Sequence, residues 1–137
     1  MRVSFVPPPF LHAFFPMMDE NRFAILADAT LTHLFETIDS AAGDELEVDL
    51  DEGILTIELE NGSHYVINKH APNRQIWMSS PVSGTRYFGY DDTAGGWVDA
   101  RTVTDGEAVI LKAVLGSELG AALGRELDLG VPTLGVA

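Results

Sequence analysis

Residues 45–62 read ELEVDLDEGILTIELENG, and the architecture of the chain follows from this stretch. Acidic and aliphatic residues alternate over residues 45–50, so a β-strand would turn the aliphatic side chains inward and the carboxylates outward. The DEG sequence at residues 51–53 predicts a tight turn, after which residues 54–60 form a second strand with the same period. The NG pair at residues 61–62 is a strong β-hairpin signal. The stretch therefore predicts successive antiparallel strands.

The strand pattern continues downstream, with turn residues between the runs. Further strands are predicted at residues 63–68, 74–79, 85–90 and 96–100. Pro72 and Pro81 fall between these runs, where a residue without a backbone donor interrupts no ladder of hydrogen bonds. Strands joined by such short turns make an antiparallel meander.

A helix is predicted on each side of the strands. Residues 19–41 carry apolar side chains at three- and four-residue spacing, the pattern of one buried stripe. The second helix is expected to open at residues 105–107 (DGE) and to end near Gly124, and Gly116 and Gly120 within it predict tight packing against the sheet. Its apolar positions are Val109, Leu111, Leu115, Leu119 and Leu123. The order predicts an α+β two-layer sandwich with both helices on one face of an antiparallel β-sheet.

The negative charge of the chain is concentrated between Arg22 and Lys69. The net charge is −13, and this interval contains eleven carboxylates and no Lys or Arg. The carboxylates are Asp28, Glu36, Asp39, Asp44, Glu45, Glu47, Asp49, Asp51, Glu52, Glu58 and Glu60. Such a surface attracts metal cations or basic partners. Nucleic acid requires clustered Lys and Arg, and an anionic membrane surface repels acids, so neither is expected as a partner.

Length and composition predict a single domain with two flanking segments. The chain has 137 residues, and its 46% hydrophobic content is enough for a packed core. We predict the domain at residues 19–127, a poorly ordered apolar extension with four prolines at residues 1–18, and a C-terminal tail at residues 128–137. Because the chain has no Cys, thiolate ligands and a Cys nucleophile are excluded, and a reducing compartment is favoured.

The middle of the chain resembles the frataxin family. The segment YVINKHAPNRQIWMSSP at residues 65–81 is similar to the most characteristic stretch of that family. Four shorter motifs support it in compatible order: GILTI at 53–57, ENGS at 60–63, RY at 86–87, and Trp97 ahead of an Asp-Gly helix start. The resemblance covers roughly residues 19–127 and implies the same α–strands–α fold. Residues 86–90 depart from it, because many relatives place an Asp soon after the aromatic residue.

The resemblance implies an iron-binding accessory protein of iron–sulfur cluster assembly, which docks on a cysteine desulfurase and a scaffold protein. It implies an iron surface at the end of the first helix and along the first strand. In this chain the surface comprises Glu36, Asp39, Asp44, Glu45, Glu47, Asp49 and Asp51. Carboxylate oxygens are hard ligands that suit iron, but alternate residues of a strand lie about 6.6–6.8 Å apart. We therefore expect weak, exchangeable binding of Fe²⁺ or Fe³⁺ by one or two carboxylates per ion.

A second functional surface is expected on the sheet face opposite the helices. In the fourth strand, Ile76 and Met78 should face the helices, while Gln75 and Trp77 face away. Trp is a frequent hot-spot residue at protein interfaces, whereas Trp97 is expected in the core. The resemblance assigns scaffold binding to Asn68, Gln75, Trp77 and Arg86.

Several alternatives stay open from the sequence. A ferroxidase or iron-storage enzyme would oxidise Fe²⁺ on the acidic surface, although a dedicated di-iron cage of Glu and His is not evident. The acids could also form a plain solvated face or mimic nucleic acid, and His33 lies near enough to Glu36 for a mixed auxiliary metal site. We expect a monomer without iron, iron-dependent oligomers, and a bacterial cytoplasmic location, with the mitochondrial matrix as the alternative.

Overall fold

The computed structural model describes residues 18–102 and 109–129. Within these residues, two helices flank a six-stranded sheet in chain order. The elements are α1 (Glu20–Ala42), β1 (Glu47–Asp51), β2 (Ile54–Glu58), β3 (His64–His70), a short 3₁₀ helix (Ala71–Asn73), β4 (Gln75–Ser80), β5 (Gly84–Asp91), β6 (Gly96–Asp99) and α2 (Leu111–Leu123). Neither described helix is both long enough and apolar enough to cross a membrane. The predicted α+β two-layer sandwich is confirmed.

Helix α1 begins at a side-chain cap and buries one stripe. The carboxylate of Asp19 accepts a hydrogen bond from the Arg22 backbone N–H at 3.1 Å, which satisfies one of the free donors of the first turn. The helix stops at Gly43, whose N–H donates to the Asp39 carbonyl at 2.8 Å. The buried stripe consists of Phe23, Ala27, Leu31, Leu34, Ile38 and Ala42. Its three- and four-residue spacing is the predicted pattern.

The sheet is an antiparallel meander in the order β1-β2-β3-β4-β5-β6. The β1–β2 turn is tight because Glu52 and Gly53 both adopt positive φ angles, 50° and 77°, as a type I′ turn requires. Strand β1 begins at Glu47 instead of the predicted residue 45, since the N–H groups of residues 45 and 46 still donate to the Ala42 carbonyl. The predicted number and order of strands are confirmed.

One face of the sheet packs on the helices and holds the core. Its fully buried side chains are Leu55, Ile57, Tyr65, Ile67, Ile76, Met78 and Phe88. They alternate along each strand with less buried residues, which lie on the opposite, outer face. Trp97 is 4% exposed and donates from Nε1 to the Thr30 hydroxyl at 2.8 Å, so its predicted core position is confirmed.

Helix α2 starts later than predicted. Residues 105–107, where the helix was expected to open, lie outside the described residues. Ile110 is extended, with φ −97° and ψ 138°, and forms a β-bridge with Val98. The carbonyl of Val109 accepts a hydrogen bond from the Asp99 N–H at 2.8 Å. The prediction that Val109 is a helical position is wrong, because this segment pairs with β6 before the helix begins.

Gly116 and Gly120 permit close packing, but their partner is the segment that follows α2, residues 125–129, and not the sheet. A β-carbon at Gly116 would lie 3.0 Å from the Leu127 carbonyl oxygen, and one at Gly120 would lie 2.7 Å from the Arg125 carbonyl oxygen. The backbone of this segment therefore occupies the space that a larger side chain would need. Leu129 is 3% exposed and extends the core beneath this contact.

Candidate functional site

Seven predicted iron-surface carboxylates occupy one edge of the molecule. We call them the acidic ridge: Glu36, Asp39, Asp44, Glu45, Glu47, Asp49 and Asp51. All seven are exposed. They follow the last turns of α1, the connection to β1, and β1 itself, which is an edge strand of the sheet. The fold thus forms a continuous acidic border from a helix end and a strand.

The ridge carboxylates do not converge on one point. Along β1 they alternate with Val48 and Leu50, which pack against the core, so neighbouring carboxylates are separated by about 6.6–6.8 Å of strand. Glu47 pairs in register with Glu58, another exposed acid, which adds repulsion at this end of the sheet. Within residues 18–102 and 109–129, no group of three or more His, Asp or Glu side chains could hold a metal ion. The arrangement suits loosely held cations.

Cations from distant parts of the chain reach this acidic region. Arg125 donates from Nη2 to the Glu45 carboxylate and, at 3.1 Å, to the Ala41 carbonyl oxygen. Lys69 Nζ lies 2.6 Å from the Asp28 carboxylate. Residues 23–68 contain no Lys or Arg. In the folded protein, Lys69 on β3 and Arg125 after α2 supply positive charge to this acidic region.

The outer face of the sheet carries a row of five residues that are paired directly across the strands. The register joins Asp51 to Ile54, Ile54 to Asn68, Asn68 to Trp77, and Trp77 to Tyr87. We call this set the outer row. Directly paired residues point to the same face of a sheet, so one end of the acidic ridge and the predicted partner surface are continuous. Ile54 and Tyr87 are large apolar residues that are 45% and 38% exposed.

Trp77 is held in place by aromatic neighbours on the outer face. Its ring stacks on the His70 ring at 3.7 Å between centroids with an interplanar angle of 10°. The Tyr87 ring meets it edge-on at 5.0 Å. Its indole N–H donates to the Gln75 side-chain oxygen at 2.9 Å. Trp77 is therefore half-buried and preorganised, so a partner would meet a ring whose orientation is already fixed.

Arg86 does not share the outer face with Trp77, so the expectation that it lies on that face is wrong. Arg86 pairs in register with Met78, which is fully buried on the helix side. Its Nη1 donates to the carboxylate of Asp99 at 2.7 Å, and its Nε donates to the Ser83 hydroxyl at 3.0 Å. The physical reason is alternation: Tyr87, one residue further, takes the outward position opposite Trp77.

Two polar contacts were not expected from the sequence. The Tyr65 hydroxyl donates to the Glu118 carboxylate at 2.9 Å, and burial together with this bond raises the pKa of Tyr65 above its ordinary value. His33 Nε2 lies 3.0 Å from the Leu129 carbonyl oxygen and so ties α1 to the C-terminal tail. Neither contact has a local sequence signal, because each joins residues more than fifty positions apart.

The fold and the ridge define a small α+β protein with an open acidic edge, and comparison with known proteins gives its family. The chain belongs to the frataxin family: residues 16–125 match the frataxin-like domain. It is 39% identical over 117 residues to the mitochondrial frataxin of Arabidopsis thaliana, covering 82% of this chain and 60% of that protein. The chain thus spans about three fifths of the length of that relative.

A bacterial relative and a solved structure support the same family. The chain is 33% identical over 90 residues to the iron-sulfur cluster assembly protein CyaY of Ralstonia pickettii (strain 12J), covering 64% of this chain and 77% of that protein. It is similar to trimeric frataxin from the yeast Saccharomyces cerevisiae, described as complexed with ferrous iron. That structure superposes with a TM-score of 0.60 at 35% identity, covering 73% of this chain and 87% of the yeast chain.

Proposed function

We propose that this protein is an iron-binding accessory and regulatory protein of iron–sulfur cluster assembly. The observation that carries the proposal is the acidic ridge, in which seven exposed carboxylates follow a helix end and an edge strand without converging. A relative named for iron–sulfur cluster assembly and a yeast relative complexed with ferrous iron support it.

The ridge is proposed to carry iron weakly and exchangeably. Carboxylate oxygens are hard ligands that suit Fe²⁺ and Fe³⁺. Because the ridge side chains are spread along an edge, each ion would meet one or two carboxylates and keep most of its water. Iron held in this way exchanges readily, which suits delivery or regulation better than storage.

Two docking contacts are proposed for the assembly complex. The acidic ridge would meet a basic patch of the cysteine desulfurase, since opposite potentials steer such encounters. The outer face, with Asn68, Gln75 and Trp77, would meet the scaffold protein. The outer row supports these two contacts within one complex, because it connects Asp51 of the ridge to Trp77 across three neighbouring strand pairs. One complex could therefore contact both surfaces at the same time.

An NMR titration with Fe²⁺ under anaerobic conditions, and separately with the desulfurase, tests the proposal. We expect Fe²⁺ to broaden backbone amides of residues 36–51, and the desulfurase to shift the same amides. Asp49→Asn should weaken both effects. Asp92→Asn is the matched control, because Asp92 is an exposed acid paired with Arg22. Broadening that avoids residues 36–51 would remove the iron-binding part of the proposal.

A ferroxidase or iron-storage role is the weaker alternative. A dedicated di-iron centre uses Glu and His side chains that converge from helices, and the ridge lies along one helix end and one strand. Saturable Fe²⁺ oxidation that a single ridge substitution abolishes would favour this alternative.

The location and the oligomeric state are proposed with support from the relatives of the chain. One relative is a mitochondrial frataxin and another is a bacterial CyaY protein, so we propose the bacterial cytoplasm, with the mitochondrial matrix as the alternative. The yeast relative forms a trimer. We propose a monomer without iron that associates when the ridge is loaded, because bound cations would relieve repulsion between the acidic edges of neighbouring molecules.

A further inference from the structure

Arg125 is held beside the acidic ridge by the end of α2. Gly124 adopts a left-handed conformation with φ 75°, and its N–H donates to the carbonyls of Ala121 and Gly120. The Arg125 N–H donates to the Gly120 carbonyl at 3.0 Å. These bonds form the hydrogen-bonded cap that commonly ends a helix. The cap fixes the Arg125 backbone, so the side chain is presented to one place on the neighbouring helix.

The Arg125 side chain occupies the position that a cation would take at the end of α1. Residues 39–42 contain no Lys or Arg, although the carboxyl end of a helix favours positive charge. The Arg125 guanidinium supplies it by donating to the Ala41 carbonyl oxygen at 3.1 Å and to the Glu45 carboxylate. A recess beside Glu45 is also lined by Asp44 and Glu60.

The same arginine begins the segment that packs against α2. Directly after Arg125, the backbone of residues 125–127 passes over Gly120 and Gly116 at distances that leave no room for a β-carbon. Leu129 then enters the core, and its carbonyl meets His33. Arg125 is therefore the junction between the acidic ridge and the segment of residues 125–129 that packs on α2.

We propose that Arg125 is a tethered counter-cation that competes with metal ions for Glu45. The inference rests on the proposed function and concerns the regulation of that same site. Free cations would load the β1 carboxylates first and reach Glu45 last, because Arg125 must first release it. By thermodynamic reciprocity, a metal ion at Glu45 loosens the hold of Arg125 on α1 by the same factor. Metal loading is thereby coupled to the packing of residues 125–129 on α2.

The exposure of the Arg125–Glu45 ion pair sets how strongly Arg125 can compete with a metal ion for Glu45. The side chains of Arg125 and Glu45 are 38% and 49% exposed. Exposed ion pairs change an equilibrium by up to about five-fold, so removal of Arg125 should tighten metal binding at Glu45 by up to about that factor. The effect should be local, since exposed charges separated by more than about 8–10 Å are screened at moderate ionic strength.

The test is a titration with Mn²⁺, read as paramagnetic broadening of each backbone amide, at roughly physiological salt. Arg125→Gln should tighten binding at residues 44–46 and leave residues 49–51 unchanged. Arg22→Gln is the matched control, because it also removes one exposed, paired positive charge, from the Arg22–Asp92 pair. Arg125→Lys, which keeps the charge, should lie between wild type and Arg125→Gln. Equal broadening profiles in Arg125→Gln and Arg22→Gln would overturn the inference.

Hydrogen exchange provides a second measurement, made on wild type and on Glu45→Gln. Addition of Mg²⁺ should speed exchange of the Arg125 amide, and Glu45→Gln should exchange fast with or without the ion. Unchanged Arg125 exchange on metal loading would overturn the coupling to the tail. If Mn²⁺ broadens no amide between residues 36 and 51 in wild type or in Arg125→Gln, the proposed iron-binding function fails as well. If wild type binds Mn²⁺ there and only the difference between variants is missing, the inference alone fails.

Discussion

Arg86 on β5 donates a hydrogen bond of 2.7 Å to the carboxylate of Asp99 on β6, and Asp99 has no exposed surface. The Arg86 side chain is itself only 19% exposed. The second Asp99 oxygen accepts the Arg101 backbone N–H at 3.0 Å. The pair thus joins β5 to β6 on the helix side of the sheet, and we expect Arg86 to contribute mainly to the stability of the fold.

Arg86→Ala is expected to destabilise the domain by about 3 kcal/mol, because it leaves the buried Asp99 carboxylate without its closest cation. Urea unfolding measures the loss. Arg22→Ala is the control, since the exposed Arg22–Asp92 pair is screened by solvent and should contribute little to stability. A fully stable Arg86→Ala protein that fails to bind the scaffold would restore Arg86 as a docking residue.

Trp77→Ala should abolish the effect of the protein on cluster assembly while the domain stays folded. Trp77 lies on the outer face, so its removal opens no cavity in the core, and a preorganised aromatic ring at an interface is worth at least about 2 kcal/mol of binding. The measurements are scaffold affinity and the rate of cluster assembly, with circular dichroism to monitor folding.

Val82→Ala serves as the matched control for Trp77, because Val82 is 71% exposed in the turn after β4 and lies outside the outer row. We expect wild-type affinity for this variant. A wild-type assembly rate with Trp77→Ala would contradict the proposed scaffold contact.

The sequence predicts the layers of the fold better than the faces of individual residues. Alternation over residues 45–60 and the helical stripe of α1 are local patterns, so they predict the first two strands, the first helix and the outward direction of the ridge, and similar local patterns downstream predict the other elements. The face of Arg86 depends on the residue count through the β4–β5 turn, where a shift of one position exchanges the two faces. Likewise, the late start of α2 depends on the Val98–Ile110 bridge, a contact between separate segments.

The candidate site shows the same limit. The acidic ridge is visible in the sequence because its residues are consecutive or nearly so. The ion pair of Arg125 with Glu45 joins residues eighty positions apart, and no local pattern marks it. The stacking of His70 on Trp77 also depends on how β3 and β4 pair. The register of the two strands brings the rings together, and the composition of the strands does not reveal this register.

Gly120→Ala should destabilise the domain by about 1–3 kcal/mol, although the same change in an exposed helix would stabilise it by about 1 kcal/mol. The added β-carbon would lie 2.7 Å from the Arg125 carbonyl oxygen, which is backbone and cannot rotate away. Thermal unfolding measures the change. Ser117→Ala, at an exposed position of the same helix, is the control and should be neutral or slightly stabilising. A stabilised Gly120→Ala protein would mean that the backbone of residues 125–127 does not pack on α2.

Alkaline pH should weaken the fold through Tyr65. Burial, followed by the hydrogen bond to Glu118, raises the pKa of Tyr65, so the folded protein keeps the phenol proton that the unfolded chain loses near about pH 10. A raised folded pKa means that the stabilisation is complete below about pH 10 and is lost as the pH rises through the interval up to the folded pKa. The free energy of unfolding should therefore fall by about 1.4 kcal/mol per pH unit above about pH 10 from this group alone.

Urea unfolding of wild type and Tyr65→Phe between about pH 8 and pH 11 isolates that contribution. All other ionisable groups are common to both proteins, so their effects on the free energy of unfolding cancel in the difference. At the lower pH, Tyr65→Phe should be less stable, because it removes a donor to the half-buried Glu118 carboxylate, which among the described residues keeps the Ser80 hydroxyl at 2.7 Å. The difference in the free energy of unfolding between the two proteins should narrow above about pH 10, since the variant has no phenol proton to lose at this position. If the free energies of unfolding of the two proteins fall in parallel with pH, Tyr65 ionises with an ordinary pKa. The hydrogen bond to Glu118 then does not retain the phenol proton of Tyr65.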